Sequence, residues 1–201
     1  MNKFNKFPVV ILAAGYSKRM GKPKGLLEYK EKPFILSQIT NLRSIGFEEI
    51  VIVLGKSKDT YFEKISELKK YNIVINPSPE IGVFSSIQCG LANLSKENIG
   101  VFILPIDVPS PKKYVWEEML ENFKLNQVNV VVPSFNGKKG HPVLLSSEFK
   151  KYILSCNPSS RLDYEIHKQE NQQKVKIISV KDSTILLNLN TKEDWEAFKV
   201  L

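Results

Sequence analysis

The sequence predicts an α/β fold of three layers, with a mostly parallel, doubly wound sheet between helices. Three observations lead there. Apolar runs alternate with amphipathic stretches in strand, helix, strand order over about 130 residues. The early runs, such as Val9-Val10-Ile11 and Ile50-Val51-Ile52-Val53, set branched residues on consecutive positions. Neighbouring side chains on a strand point to opposite sides, so such runs suit strands covered on both faces. Finally, 201 residues allow one domain with a sizeable core and are short for two.

Taken in order, "PVVILA" (8–13) reads as a strand and "PFILSQITNLRSIG" (33–46) as a helix stopped by Gly46. "EEIVIVLG" (48–55) is a strand, "KDTYFEKISELKKY" (58–71) a helix, and "NIVINP" (72–77) a strand ended by Pro77, which has no N–H for a ladder. A helix near 83–94, the strand "GVFILP" (100–105) and a proline-started helix over 110–123 follow. The strands "VNVVVP" (128–133) and "PVLLS" (142–146), two helical stretches and "VKIISV" (175–180) complete the series. The segment 134–190 breaks the rhythm and is expected to be a strand-rich insertion, or a cap over one edge, within a single domain spanning 1–201.

Hydrophobic residues at 42% and charged residues at 25% are near globular averages, which argues against disorder. No apolar run approaches the ~18 residues of a membrane span, and "MNKFNKFPVV" lacks the features of a secretory leader. A cytoplasmic location away from membranes is expected. Cys89 and Cys156 are far apart with no CxxC pair, so they read as partly buried thiols rather than a disulfide or zinc site. A net charge of +8 fits nucleic acid, an anionic membrane surface or phosphorylated substrates. The cations are scattered, with no aromatic-plus-basic RNA-binding signature, so nucleic acid is not an expected partner.

The chemistry points to "LAAGYSKRMGKPK" (12–24), directly after the first strand. Lys18, Arg19, Lys22 and Lys24 fall within seven positions, and nothing acidic balances them. The loop is not a Walker A motif, because five residues rather than four separate Gly15 from Gly21 and Pro23 stands where Ser or Thr is required, and G-x-G-x-x-G is absent too. It still has the makings of a phosphate site. Ala13, Ala14 and Gly15 let a ligand approach the backbone closely, successive N–H groups can form an anion nest, and Arg19 and Lys24 can neutralise a polyphosphate.

This loop matches L-A-A-G-x-S-x-R-M-G-x-x-K, and the chain resembles the MobA-like NTP transferases, above all the molybdopterin nucleotidyltransferases that mature the molybdenum cofactor. "GVFSSIQCGL" (82–91), "PIDVP" (105–109), "GHPVLL" (140–145) and "NLNTKEDW" (188–195) resemble further family segments, in family order. The resemblance implies a Rossmann-like sheet of the nucleotide-diphospho-sugar transferase type and transfer of a nucleoside monophosphate from an NTP to the terminal phosphate of molybdopterin, with pyrophosphate leaving. It implies nucleotide binding by Leu12, Ala13, Ala14, Gly15, Arg19, Lys24, Gly82, Ser85 and Ser86, with Arg19, Lys24 and Asp107 catalytic. It assigns a Mg²⁺ ion to Asp107 with Asn188, and the acceptor to His141 and Arg161. A molybdenum enzyme or its chaperone is the implied recipient.

Two of these residues also carry other readings. Asp107 suits a helix N-cap as well as a metal, and His141 need not be a base, because a phosphate monoester is already ionised at pH 7. The two ends of the chain disagree about the base. Asn188-Leu189-Asn190-Thr191 is closer to guanylyl-transferring relatives, whereas Ala13-Ala14 leans toward cytidylyl transfer, and CTP is the expected donor. A sugar or polyol phosphate acceptor, and a nucleotide sensor without catalysis, are the competing expectations. His167, in a polar helix, is expected on the surface.

Overall fold

The computed structural model describes residues 2–170 and 173–200. In chain order the elements are β1 (Val9–Ala13), two 3-10 turns (Lys18–Met20 and Lys24–Leu26), β2 (Glu28–Tyr29), β3 (Lys32–Pro33), α1 (Phe34–Ile45), β4 (Ile50–Leu54) and α2 (Lys58–Lys64). After a 3-10 turn (Ser66–Lys70) come β5 (Asn72–Ile75), another turn (Pro79–Ile81), α3 (Val83–Ala92), β6 (Gly100–Pro105), α4 (Lys113–Asn126), β7 (Val130–Phe135), β8 (Lys138–Lys139) and β9 (Val143–Ser146). The chain ends with α5 (Ser147–Ser155), α6 (Leu162–Glu170), β10 (Val175–Ser179), a 3-10 turn (Ser183–Leu186) and α7 (Lys192–Lys199).

The main sheet runs β10-β7-β9-β6-β1-β4-β5, with β8 hooked onto β7. β1 pairs in parallel with β4 and β6, β4 with β5, and β10 with β7. β9 is antiparallel to both its neighbours, β6 and β7. The segment after residue 134 is therefore part of the sheet itself and does not merely cap an edge: it supplies an interior strand and the far edge strand. The small β2–β3 pair forms a separate hairpin.

The consecutive apolar residues of the strands feed two cores. Val9, Ile11, Ile50 and Ile52 face α1, α4 and α7, where Phe34, Leu42, Trp116 and Trp195 fill the layer. Val10, Leu12, Val51 and Val53 face α3, α5 and α6, against Phe84, Leu91, Phe149 and Ile166. Phe47, Phe102 and Trp116 meet edge to face at 5.0–5.5 Å, a geometry aromatic quadrupoles favour. On the other side, α3 reaches the sheet through Gly90: a methyl there would lie 2.5 Å from Val10 Cγ1 and 2.9 Å from Val53 Cγ2.

Two expectations about helices are revised. The stretch 58–71 is not one helix, because the chain leaves α-geometry at Ile65 (φ −136°) and continues as a 3-10 turn that buries Leu68. α7 is an added helix, started by a capping box in which Thr191 and Asp194 satisfy each other's backbone N–H groups. Its Trp195 and Phe198 pack on Phe34, and Phe198 stacks on Tyr29 at 4.8 Å.

Candidate active site

β1, β4, β5 and β6 are parallel, so their carboxyl ends share one edge, and the loops leaving β1, β5 and β6 meet there. After Ala13 the chain turns sharply. Ser17 takes a left-handed conformation (φ 47°, ψ 35°), its carbonyl accepts from Met20 N–H, and its Oγ accepts from Lys24 N–H at 3.2 Å. Gly21 is also left-handed (φ 70°). These bonds fold residues 17–24 back so that Lys24 points inward while Arg19 stays exposed on the rim. Gly25 fixes the next step: its N–H donates to Tyr61 Oη at 3.2 Å, and a methyl there would lie 2.7 Å from that oxygen. Burial holds the Tyr61 phenol far above its ordinary range, so it remains protonated. Gly55, just past β4, packs against the backbone of Ala14.

The second wall comes from the β5–α3 connection. Asn76 is buried and its Nδ2 donates to the Oγ of both Ser85 and Ser86 at 2.9 Å. Its Oδ1 accepts from Ser78 N–H. Ser85 in turn donates to Gly82 O at 2.8 Å, which ties the start of α3 to a glycine at φ 136°. Ser85 thus supports the wall from behind, while Ser86 and Gly82 line the cleft.

The third component is Asp107, two residues beyond β6. Its carbonyl accepts from Leu189 N–H at 2.9 Å, which draws the segment before α7 across the sheet edge. Lys24 Nζ donates to Asp107 Oδ2 and to Asn190 Oδ1, each at 2.7 Å, with the lysine side chain only 12% exposed. Asn190 is itself held, its Nδ2 donating to Asn188 Oδ1 at 2.6 Å and its N–H to Asp194 Oδ2 at 3.0 Å. Hydrogen bonds from Thr191 and Asn190, aided by the charge of Arg19, hold the Asp194 carboxyl below the usual range.

The result is a cleft of about 290 Å³ lined by Leu12, Ala13, Ala14, Gly15, Arg19, Lys24, Gly82, Ser86 and Asp107 from the sequence-derived set, together with Ser17, Tyr61 and Asn190. Asn188 stands outside it, exposed, and meets it only by accepting the hydrogen bond from Asn190. Among the described residues no group of three or more His, Cys, Asp or Glu side chains could hold a metal. The donors in reach are one carboxylate and one amide oxygen. That set fits Mg²⁺, which keeps waters and substrate phosphates and takes only one or two protein carboxylates.

A second cavity of about 600 Å³ adjoins the first, sharing Leu12, Val83 and Pro105. Ile87, Ile103, Val132, Val143 and Ile166 give it an apolar lining, and Lys139, His141, Arg161 and His167 add polar groups. His141 follows Gly140, its N–H donates to Ile185 O at 2.9 Å, and the His141–Pro142 peptide is cis. Its Nδ1 is buried without a hydrogen-bond partner among the described residues. Burial lowers the imidazole pKa, partly opposed by the charge of Asp107, so the ring is neutral at pH 7. Arg161 is exposed and pairs with Asp163 through two bonds of 3.0 and 2.5 Å. His167 is exposed, as expected, and lies on the wall of this cavity.

Tyr61 and Asn76 were not singled out by sequence, and Asn190 was singled out only as a guide to the base, with the metal assigned to Asn188 instead. Asn190 had a signal in the Asn-x-Asn-Thr pattern, whereas Tyr61 and Asn76 are indistinguishable from ordinary helix and turn residues.

Residues 9–173 match the family described as the MobA-like NTP transferase domain. The chain is 26% identical over 194 residues to a probable molybdenum cofactor guanylyltransferase of Bacillus mycoides (strain KBAB4), and the match spans 92% of each chain. It is 20% identical over 186 residues to the molybdenum cofactor cytidylyltransferase of Escherichia coli (strain K12), again over 92% of each. Among solved structures, Rv0371c from Mycobacterium tuberculosis H37Rv superposes with a TM-score of 0.84 at 19% identity, covering 97% of this chain and 98% of that one, a likeness of fold.

Proposed function

The chain belongs to the MobA-like NTP transferase family, and we propose that it transfers a nucleoside monophosphate from CTP to the terminal phosphate of molybdopterin. An acceptor phosphate oxygen attacks the α-phosphorus, the bond to the β-phosphate oxygen breaks, and pyrophosphate leaves. The observation that carries this reading is the junction of the two cavities: a small polar cleft with Arg19, Lys24 and Asp107 opens past Leu12, Val83 and Pro105 into a larger apolar one.

Arg19 and Lys24 would bind the triphosphate and offset charge developing on its oxygens. Backbone at Ala13–Gly15 would take the nucleoside close, and Ser86, aimed by Asn76, offers a hydroxyl to the sugar or base. Asp107 and the amide oxygen of Asn190 would hold Mg²⁺, which when bound supplies positive charge to the phosphate oxygens. Asn188 serves that role by holding Asn190 rather than by reaching the ion itself. No protein base is required, since the acceptor phosphate is ionised, and a neutral His141 is suited to orienting the acceptor.

An acceptor cavity with Leu12, Ile103, Val132 and Val143 on its lining favours a flat heterocycle over a polyol, whose hydroxyls would lose water without gaining partners. The methyl groups of Ala13 and Ala14 on the cleft wall favour the smaller pyrimidine base. The two cysteines are free, as suits a reducing compartment, and among the described residues no helix is long and apolar enough to cross a membrane. The reading assigns the reaction to the cytoplasm, with a molybdenum enzyme or its chaperone receiving the product.

The test supplies α-labelled CTP or GTP with Mg²⁺ and either molybdopterin or a panel of polyol phosphates. Pyrophosphate release with CTP and molybdopterin is the expected outcome. Preference for GTP would make the Asn188–Asn190 pair the better guide to the base, and nucleotide binding without pyrophosphate release under any acceptor would leave a sensor.

A further inference from the structure

We infer that, without nucleotide, the protein closes its own cation site with Lys24, so that a divalent ion enters only together with the triphosphate. This rests on the nucleotidyltransferase reading and adds an order to it. The ammonium uses two of its three N–H groups on Asp107 Oδ2 and Asn190 Oδ1, both at 2.7 Å. Those are the two oxygens best suited to Mg²⁺, whose bonds to oxygen are about 2.0–2.1 Å long. An ion bound to both would share the small hollow already filled by the ammonium. Two like charges at that separation repel strongly, and more so where the lysine is mostly shielded from water.

The arrangement is fixed from behind. Turning the Asn190 amide over would set its NH₂ against the ammonium and its oxygen against Asn188 Oδ1. Its backbone is anchored by Asp194, which belongs to the capping box of α7. Asn188 and Asp194 are therefore positioning residues that keep one oxygen pointed at Lys24. Because Asn190 is neutral, Asp107 is, among the described residues, the one carboxylate paired with Lys24, and their charges cancel. A bare divalent ion gains little by displacing that lysine. An arriving triphosphate changes the balance, since it offers Lys24 a more highly charged partner and brings oxygens for the metal. The flexible four-carbon stem lets the ammonium follow the phosphates.

The probe is Mn²⁺, with the free ion followed by its paramagnetic resonance signal in titrations of the nucleotide-free protein. Wild type is compared with Lys24→Met and Lys24→Gln, each checked for native fold by circular dichroism; two variants guard against misfolding of one. Both variants are expected to bind Mn²⁺ about tenfold or more tightly than wild type. Equal affinity in wild type and in a folded variant overturns the inference. In parallel, thermal stabilisation of wild type by CTP and GTP with Mn²⁺ is measured. If nucleotide binds while Mn²⁺ affinities are equal, the closed cation site is wrong and the transferase reading stands. If no nucleotide stabilises the protein, the transferase reading fails and this inference fails with it.

Discussion

Gly55→Ala tests whether the loop after β1 is set by backbone contact with the sheet. The added methyl would lie 2.6 Å from Ala14 O and 3.2 Å from Ala14 Cα. An ordinary contact begins near 3.4 Å, so the backbone must separate by about 0.8 Å, and backbone cannot rotate aside as a side chain can. Overpacking of this kind costs roughly 1–3 kcal/mol. For a domain of this size that is about 2–4 °C per kcal/mol, hence a fall in Tm of roughly 2–12 °C. Ala14 lines the cleft, and displacement near 1 Å at a reacting centre can lower turnover about 10²-fold. Thermal unfolding and pyrophosphate release are measured on the same preparation, with Gly15→Ala as control. A methyl at Gly15 meets nothing within 4 Å, so its stability should stay within about 0.5 kcal/mol of wild type. A Gly55→Ala protein with unchanged Tm and turnover would refute the reasoning.

Tyr61→Phe removes the acceptor of the Gly25 N–H and should cost about 1–3 kcal/mol, read by urea unfolding, with weaker nucleotide binding because Gly25 adjoins Lys24. His141 has a folded pKa below its unfolded value, so the unfolded chain binds the proton more readily and this residue's contribution, full above about pH 6.5, is lost as pH falls below it. His141→Gln should therefore flatten the loss of stability between pH 7.5 and 5.5; an unaltered slope in chemical unfolding would exclude the residue as its source. Lys24→Ala should lower turnover at least about 10²-fold while changing the unfolding midpoint far less, and near-normal turnover would remove Lys24 from the mechanism.

Much of this molecule was legible because its chemistry is local. Val9-Val10-Ile11 and Ile50-Val51-Ile52-Val53 must face apolar layers on both sides, and they do. The loop 12–24 reads as an anion site because small residues, two glycines and four cations occur together within one short segment. What sequence did not reveal depends on distant partners. "PVLLS" has the same apolar character whether its strand lies at an edge or antiparallel in the interior, so the place of β9 between β6 and β7 was hidden. Tyr61 reads as an amphipathic-helix residue until Gly25 is beneath its hydroxyl. Asn188 and Asn190 are equivalent as residue types, and only the hydrogen bond between them decides which one faces Lys24. α7 could have been read from the Thr191 to Asp194 capping box, a short polar signal easily lost in a charged segment.

The bond between Lys24 and Asn190 joins positions 166 residues apart. On a ribosome, the lysine emerges well before its neutral partner, which follows every strand of the sheet. The core against α3, α5 and α6 is thus present in the emerging chain before the charged centre, whereas the opposite core waits for Trp195 and Phe198 of α7. A protein stalled or clipped before residue 190 would carry the loop 12–24 without the oxygen that holds its Lys24.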